Sequence, residues 1–184
     1  MKLVILDRDG VINKESDAFV KNADEWLPIK GSIKAIARLY KAGFTVVVTT
    51  NQSGLGRGLF EVSDLDAMHK KMTTLVEQAG GKLAGIFYCP HHPDDNCDCR
   101  KPKAGLIDQV EQALSVSAKG AFAIGDSQRD LEAGITKGCT PILVKTGKGQ
   151  KTLQQIVVEQ NTAFHNLAIY NSLADAAEEI IKTG

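Results

Sequence analysis

The sequence predicts an α/β fold: a three-layer, Rossmann-like parallel sheet with helices on both faces. Apolar strand-like runs alternate with segments of helical periodicity along almost the whole chain, which is typical of such a sheet. The first run, residues 3–6, is apolar throughout, as expected for a strand buried on both faces. The chain has 184 residues, of which 43% are hydrophobic, so residues 1–184 are enough for one domain with a substantial core.

The first half of the chain supplies three strands and two helices. Residues 44–49 are rich in β-branched side chains and predict a strand, as do the apolar residues 84–88. Apolar residues at helical spacing predict helices over 33–40 and 65–79. We expect Ser32 and Ser63 to open these helices, and Gly43 and the pair 80–81 to end them.

The second half continues the alternation. Helices are predicted at 105–114 and 128–137, and strands at 121–124 and 141–144. The tail has weaker patterns, which indicate a helix at 152–160, a last strand at 167–170 and a closing helix at 172–182.

Composition and charge exclude several classes of protein. The 22 basic and 22 acidic residues cancel, and only 5% of residues are aromatic, which argues against a nucleic-acid partner. The first apolar run is too short for a signal peptide or a membrane helix. We therefore expect a cytoplasmic monomer with no membrane partner.

Two carboxylates, Asp7 and Asp9, directly follow the first apolar run. They would lie at the carboxyl end of a central strand, where open α/β sheets bind their ligands. Because two adjacent carboxylates repel each other, a divalent cation is the simplest partner, and Mg²⁺ is favoured by hard oxygen ligands. The alternative is that these residues merely end the strand in a turn.

Polar residues also follow the other predicted strands. Thr50 and Asn51 end the second strand, Lys101 precedes a helix, and Asp126 follows the fourth strand, with Asp130 four residues later. Carboxylates for a cation together with donors for phosphate oxygens are the requirements of phosphoryl transfer. Each residue alone has another explanation, such as a loop start or a solvated lysine, but their combination favours a phosphate site.

In order, spacing and context, these motifs resemble those of the haloacid dehalogenase (HAD) superfamily of aspartyl phosphatases, over residues 3 to about 147. The resemblance implies that Asp7 is the nucleophile and Asp9 the general acid and base. It implies that Mg²⁺ is held by the Asp7 carboxylate, the Asp9 backbone carbonyl and the Asp126 carboxylate. Thr50 and Lys101 would hold the phosphoryl oxygens.

Three cysteines and two histidines fall within residues 89–99. Cys89, His91, Cys97 and Cys99 offer four ligands for a tetrahedral structural zinc. His92 competes with His91, and a redox loop or free thiols are the alternatives. A zinc ion would order a loop that is rich in turn formers, and with it Arg100 and Lys101, which follow directly.

With this loop the sequence resembles, more narrowly, the family of D-glycero-D-manno-heptose-1,7-bisphosphate 7-phosphatases of lipopolysaccharide-core biosynthesis. The resemblance implies a capless fold with a zinc-binding loop, and zinc ligands at the four positions above. It implies substrate contacts by two groups of residues: Asn51, Gln52 and Ser53 in one loop, and Arg100 and Lys101 in the other. Residues 13–18, in the loop after the first motif, depart from the family pattern, which has an aromatic residue and a histidine there. This loop would lie at the rim of the site that faces the substrate.

The substrate is expected to be a small phosphorylated sugar. Arg57 is a candidate for reading a second phosphate, unless it is simply a solvated loop residue. A histidinol-phosphate phosphatase is the close alternative, since it shares the same motifs. A nucleic-acid-end phosphatase or a binding protein is the alternative from a different class.

Overall fold

A six-stranded parallel sheet forms the centre of the computed structural model, which describes residues 2–183. The strands are β1 (Lys2–Leu6), β2 (Phe44–Asn51), β3 (Gly85–Cys89), β4 (Phe122–Gly125), β5 (Thr140–Val144) and β6 (Ala168–Tyr170). Their order across the sheet is β3-β2-β1-β4-β5-β6, and every neighbouring pair is parallel. The predicted fold class is therefore confirmed.

The helices connect the strands and cover both faces. They are α1 (Ser32–Lys41), α2 (Ser53–Gly56), α3 (Val62–Gln78), α4 (Gly105–Leu114), α5 (Gln128–Thr136), α6 (Gly149–Glu159) and α7 (Leu173–Thr183). Short 3₁₀ turns lie at Pro93–Asp95 and Thr162–Phe164. The longest connections in the described chain are the loops 7–31 and 90–104. No helix within residues 2–183 combines the length and apolar character needed to cross a bilayer.

Successive side chains of β1 point to opposite faces of the sheet, and the hydrophobic core therefore has two layers. Val4 and Leu6 pack with residues of α1, α3 and α7, whereas Leu3 and Ile5 pack with α4 and α5 on the opposite face. A smaller cluster joins α5, β5 and α6. Because β1 is covered on both sides, its polar continuation after Leu6 starts from a rigid position.

The helix starts correct two sequence-based expectations. Ser32 is not the N-cap of α1; that position is Gly31, and the Ser32 hydroxyl is within hydrogen-bond distance of the Ile12 and Ile29 carbonyls at 2.6 and 2.8 Å. Ser63 likewise lies inside α3, which begins with a reciprocal capping box between Glu61 and Asp64. Both predictions were wrong: α1 begins without a side-chain cap, because the Ser32 hydroxyl contacts loop carbonyls instead, and α3 is capped by Glu61 and Asp64.

The strand order reverses direction beside β1. The chain moves from β1 outward to β2 and β3, then crosses back to β4 on the other side of β1. A crevice forms at such a reversal, outside the carboxyl ends of the two central strands. The loop after β1 therefore opens directly into the position where this fold class binds ligands.

Candidate active site

A buried lysine lies at the centre of the crevice. The Lys101 ammonium is 2.9 Å from Asp7 Oδ1 and 2.7 Å from Asp130 Oδ1, and it donates to the Thr49 carbonyl at 2.8 Å. Lys101 is only 3% exposed, so its charge depends on these partners. Their negative charges hold the pKa of the Lys101 ammonium well above its usual range, although burial acts in the opposite direction.

Three carboxylates converge on the same point. Asp7, Asp126 and Asp130 each present an oxygen, and these oxygens all lie within 4.8 Å of one another. Burial, together with the charge of Asp130, raises the pKa of Asp7 to about 7. Burial, together with the charge of Asp7, raises the pKa of Asp126 to about 8. One ammonium does not balance three carboxylates, so the cluster fits a divalent cation bound through oxygen.

Asp126 is fixed by the loops around it. Its carboxylate accepts the Lys148 backbone N–H at 2.8 Å, and its carbonyl accepts the Thr152 hydroxyl at 2.7 Å. Gly10 lies against the same carboxylate with φ +85°, and a Cβ there would overlap the Asp126 side chain. The glycine after the two aspartates therefore allows β1 and β4 to bring their carboxylates together.

Asp9 is held by four donor contacts from three side chains. Arg8 Nη2 donates to both carboxylate oxygens at 3.0 and 3.1 Å, Asn13 donates to Oδ1 at 2.8 Å, and Gln52 donates to Oδ2 at 2.9 Å. Burial alone would raise the pKa of Asp9, but the Arg8 charge and these hydrogen bonds lower it below its ordinary value. Free Asp9 is therefore an ionised and well-oriented carboxylate.

The end of β2 organises the other side of the crevice. The Lys101 N–H donates to Asn51 Oδ1 at 3.0 Å, and Asn51 Nδ2 donates back to the Lys101 carbonyl at 3.1 Å. Gln52 Nε2 also donates to the Thr50 hydroxyl at 2.9 Å, which links Thr50 to Asp9. Thr50, Asn51, Gln52 and Ser53 all line the cavity, whose volume is about 190 Å³.

The two predicted substrate arginines lie outside this lining. Arg57 is exposed, and its guanidinium is 5.8 Å from the centre of the Phe19 ring. Arg100 has a buried Nη1 that has no partner among the described residues. Burial and the neighbouring charge of Arg129 lower the pKa of Arg100, so these arginines are close enough to interact.

The cysteine loop brings four potential metal ligands together. Cys89 Sγ is 3.5 Å from His91 Nδ1 and 3.6 Å from Cys97 Sγ, while His91 Nδ1 is 3.2 Å from Cys99 Sγ. His92 lies apart from this group, because its Nδ1 accepts the Asp94 N–H at 3.2 Å. Bonds of about 2.3 Å from zinc to tetrahedral thiolates would place sulfurs at such separations. The donor set therefore fits zinc, with His91 as the nitrogen ligand.

Several residues at the site were not singled out by the sequence analysis. Arg8 is completely buried, and its Nη1 lies 3.3 Å from Nε2 of His69 in α3. Glu15 and Lys148 form a 2.6 Å ion pair, and both line the cavity together with Arg129. One signal for His69 was available: it falls within the apolar stripe of α3, where a polar residue needs a buried partner.

The comparisons with known proteins agree with this geometry. Residues 98–176 match a family model described as HAD-hydrolase-like. A D-glycero-beta-D-manno-heptose-1,7-bisphosphate 7-phosphatase of Pseudomonas putida is 51% identical over 91% of this chain and 96% of that protein. The enzyme of the same name from Bordetella bronchiseptica is 50% identical over 99% of both chains.

Solved structures give the same result. The crystal structure of D,D-heptose 1,7-bisphosphate phosphatase from B. bronchiseptica, complexed with magnesium and phosphate, is 48% identical, with a TM-score of 0.93 over 100% of both chains. The Burkholderia thailandensis phosphatase of this name is 36% identical, with a TM-score of 0.74 over 98% of this chain and 99% of that one. Sequence and structure agree over nearly the whole length, and the chain belongs to the D,D-heptose-1,7-bisphosphate phosphatase family of HAD-like hydrolases.

Proposed function

We propose that this protein hydrolyses the 7-phosphate of D-glycero-D-manno-heptose 1,7-bisphosphate through a phosphoenzyme formed on Asp7. The proposal is supported above all by the buried Lys101, which is bound to Asp7 and Asp130 beside Asp126. These groups lie in a crevice whose lining offers hydrogen-bond donors to the oxygens of a phosphate. This arrangement neutralises charge and fixes the position of a phosphoryl group, which are the main requirements of its transfer. The family membership supplies the substrate.

In the first step, a carboxylate oxygen of Asp7 attacks phosphorus and the bond from phosphorus to the sugar oxygen breaks. The departing sugar oxygen takes a proton from Asp9. Asp9 is ionised in the free protein, so it must gain that proton as substrate binds. The negative charge of an arriving phosphate favours this uptake, because a nearby like charge raises the pKa of a carboxyl group.

In the second step, water attacks the phosphorus of the aspartyl-phosphate and transfers a proton to Asp9. The bond between phosphorus and the Asp7 oxygen then breaks, which releases inorganic phosphate and restores the carboxylate. The donors that hold Asp9 suit this step, since they keep a base at a fixed position. Lys101 and Thr50 bind the phosphoryl oxygens in both steps.

Two metal ions complete the proposal. Mg²⁺ would be held by the carboxylates of Asp7 and Asp126 and by the Asp9 backbone carbonyl, and when bound it offsets the repulsion between carboxylate and phosphate. Zinc would be held by Cys89, His91, Cys97 and Cys99, and it would fix the loop that ends at Arg100 and Lys101.

The preference for a bisphosphate is supported by the basic side chains near the cavity. Arg129 and Lys148 line it, and Arg100 lies next to Lys101 with a buried Nη1 that has no hydrogen-bond partner within residues 2–183. Arg129 and Arg100 would contact a second phosphate once the first is bound at Asp7, and Lys148 would do so by giving up its ion pair with Glu15. The relatives named above act on the β anomer by name, so we expect the β anomer to be preferred here too.

The test measures phosphate release from both anomers of the heptose 1,7-bisphosphate and from histidinol phosphate, with Mg²⁺ present. We expect the highest kcat/KM on the β bisphosphate, and a ³¹P NMR spectrum in which the 7-phosphate disappears while the anomeric phosphate remains. Asp7→Asn should abolish turnover without lowering the Tm. A higher kcat/KM on histidinol phosphate would instead assign the alternative activity.

A further inference from the structure

A buried chain of polar contacts runs from α3 to the acid–base carboxylate. His69 Nε2 lies 3.3 Å from Arg8 Nη1, and Arg8 Nη2 contacts both oxygens of Asp9 at 3.0 and 3.1 Å. Arg8 is 0% exposed and His69 is 9% exposed, so the contact between them is shielded from solvent, whereas the Asp9 carboxylate is partly exposed toward the cavity. The two nitrogen ends of one rigid guanidinium thus connect the helix to the carboxylate.

The protonation of His69 follows from its surroundings. Burial, and next the positive charge of Arg8, lower the pKa of His69 to about 4, so the ring is neutral at physiological pH. A neutral ring has one nitrogen that accepts a hydrogen bond, and Nε2 faces the Arg8 donor. The proton then resides on Nδ1. His69 therefore acts as an acceptor for Arg8 and not as a second cation beside it.

Arg8 has few other ways to satisfy its donors. Its Nε has no partner among the residues that the structure describes, and besides His69 its Nη1 has only the Met68 sulfur, at 4.0 Å. Without the ring acceptor, Asp9 would be the one close hydrogen-bonding partner of the guanidinium among the described residues, and the Nη1 end would lose the contact that orients it. Because Nη2 alone contacts both oxygens of Asp9, a second contact at Nη1 is needed to fix the plane of the guanidinium.

We propose that His69 is a positioning residue, which fixes the guanidinium of Arg8 so that the Asp9 carboxylate points at the oxygen of the leaving group. The proposal rests on the acid–base role of Asp9 stated above. His69 does not line the cavity, and it acts through Arg8. Its removal should therefore slow proton transfer to the leaving group and leave substrate binding unchanged.

Leaving groups of different basicity separate this role from a structural one. A sugar alkoxide needs a proton as it departs, whereas p-nitrophenolate is stable as an anion and needs none. In rapid mixing with enzyme in excess over substrate, release of the leaving group reports the first step alone. The test compares an alkyl phosphate that the wild type hydrolyses with p-nitrophenyl phosphate.

Two substitutions at one position form the matched pair. The side-chain amide of Gln reaches the place of the ring Nε2, whereas the amide of Asn reaches only that of Nδ1. We expect His69→Asn to slow release from the alkyl phosphate about 10- to 100-fold, with a change under about twofold for p-nitrophenyl phosphate. We expect His69→Gln to restore most of the rate. Met72→Leu, a buried change further along the same helix, should leave both rates unaltered.

Equal slowing of both substrates by His69→Asn, or no slowing of either, would overturn the proposal. If His69→Asn does not fold, Arg8→Lys keeps the charge but cannot bridge Asp9 and His69, and the same selective loss is expected. Failure of the wild type on the heptose bisphosphate would contradict the proposed substrate only. The leaving-group comparison would then use another alkyl phosphate that the enzyme hydrolyses.

Discussion

Asn51 and Lys101 are joined by two reciprocal hydrogen bonds: the Lys101 N–H donates to Asn51 Oδ1 at 3.0 Å, and Asn51 Nδ2 donates to the Lys101 carbonyl at 3.1 Å. The family resemblance implies that Asn51 contacts substrate. The structure shows that its amide already holds the backbone of the buried lysine. Asn51 therefore connects the end of β2 to the loop that follows the cysteine cluster.

The first prediction concerns this connection. Asn51→Ala leaves the Lys101 N–H and carbonyl without their partner, so we expect a loss of about 1–3 kcal/mol in the free energy of unfolding. Because Lys101 is then less well placed, we expect kcat/KM to fall about 10- to 100-fold. Urea unfolding and steady-state kinetics measure the two effects. Asn161→Ala, at a 3₁₀ cap in the tail, is the control for kinetics, and unchanged kcat/KM in Asn51→Ala would contradict the expectation.

The second prediction concerns pH in the absence of Mg²⁺. The pKa values of Asp7 and Asp126 in the folded protein are about 7 and about 8, above their unfolded values. Their destabilising effect is therefore absent below the unfolded pKa of about 4, grows as the pH rises toward the folded values, and is complete above them. The pKa of His69 is lowered to about 4, so this residue destabilises the fold only when the pH falls below about 6.5. Its effect therefore lies outside the pH range of the experiment.

Asp126→Asn should remove part of this penalty. In chelator-treated protein between pH 6.5 and 8, we expect the wild type to lose about 1–2 kcal/mol of unfolding free energy relative to the variant. The cysteine groups titrate in both proteins and cancel in this difference. Added Mg²⁺ should raise the Tm of the wild type more than that of the variant. Parallel pH curves for the two proteins would show that the carboxylates do not repel each other.

The third prediction concerns the cysteine loop. Cys97→Ser weakens one ligand of the four-donor cluster, so elemental analysis should find less than one zinc per chain. We expect faster proteolysis within residues 90–99 and a lower kcat/KM, because Lys101 follows the loop directly. Cys139→Ser is the matched control: Cys139 is buried away from the cluster and donates to the Ala118 carbonyl, as a hydroxyl can. Full zinc content in Cys97→Ser would exclude its sulfur as a ligand.

The fourth prediction separates backbone strain from a steric clash. Gly10 and Gly43 have similar φ values of +85° and +88°, but a Cβ at Gly10 would overlap the Asp126 carboxylate, whereas one at Gly43 would have no neighbour within 4 Å. Gly43→Ala should cost about 1 kcal/mol, from the left-handed backbone alone. Gly10→Ala should cost more and should also weaken the stabilisation by Mg²⁺. Equal losses in the two variants, measured by denaturant unfolding, would rule out the clash.

The sequence predicted the sheet and the convergence of Asp7, Lys101 and Asp126 for physical reasons. Apolar runs identify buried strands, and the carboxyl ends of parallel strands meet at one edge of the sheet. Helix α4 was predicted at its observed bounds, whereas α2 was missed because it has only four residues, of which two are glycines that disfavour a helix.

The contacts around Asp9 were beyond the sequence analysis. Arg8 and His69 are 61 residues apart and meet only when α3 packs on β1, so no local pattern pairs them. Arg57 was a candidate for binding a second phosphate. Its guanidinium lies over the Phe19 ring and outside the cavity lining, so that role stays a prediction. The nitrogen ligand was also ambiguous, since His91 and His92 are neighbours and only the folded loop separates them.

The alternation of β1 sends Leu6 and Arg8 toward the layer of α1 and α3, while Asp7 continues toward the crevice. The surroundings of Asp7 and Asp9 are thus determined partly by residues of the hydrophobic interior. Substitutions accumulating on the inner face of α3 would be selected for turnover as well as for folding. Over evolutionary time, we expect changes in the core residues of α3 to be accompanied by changes in the reaction rate.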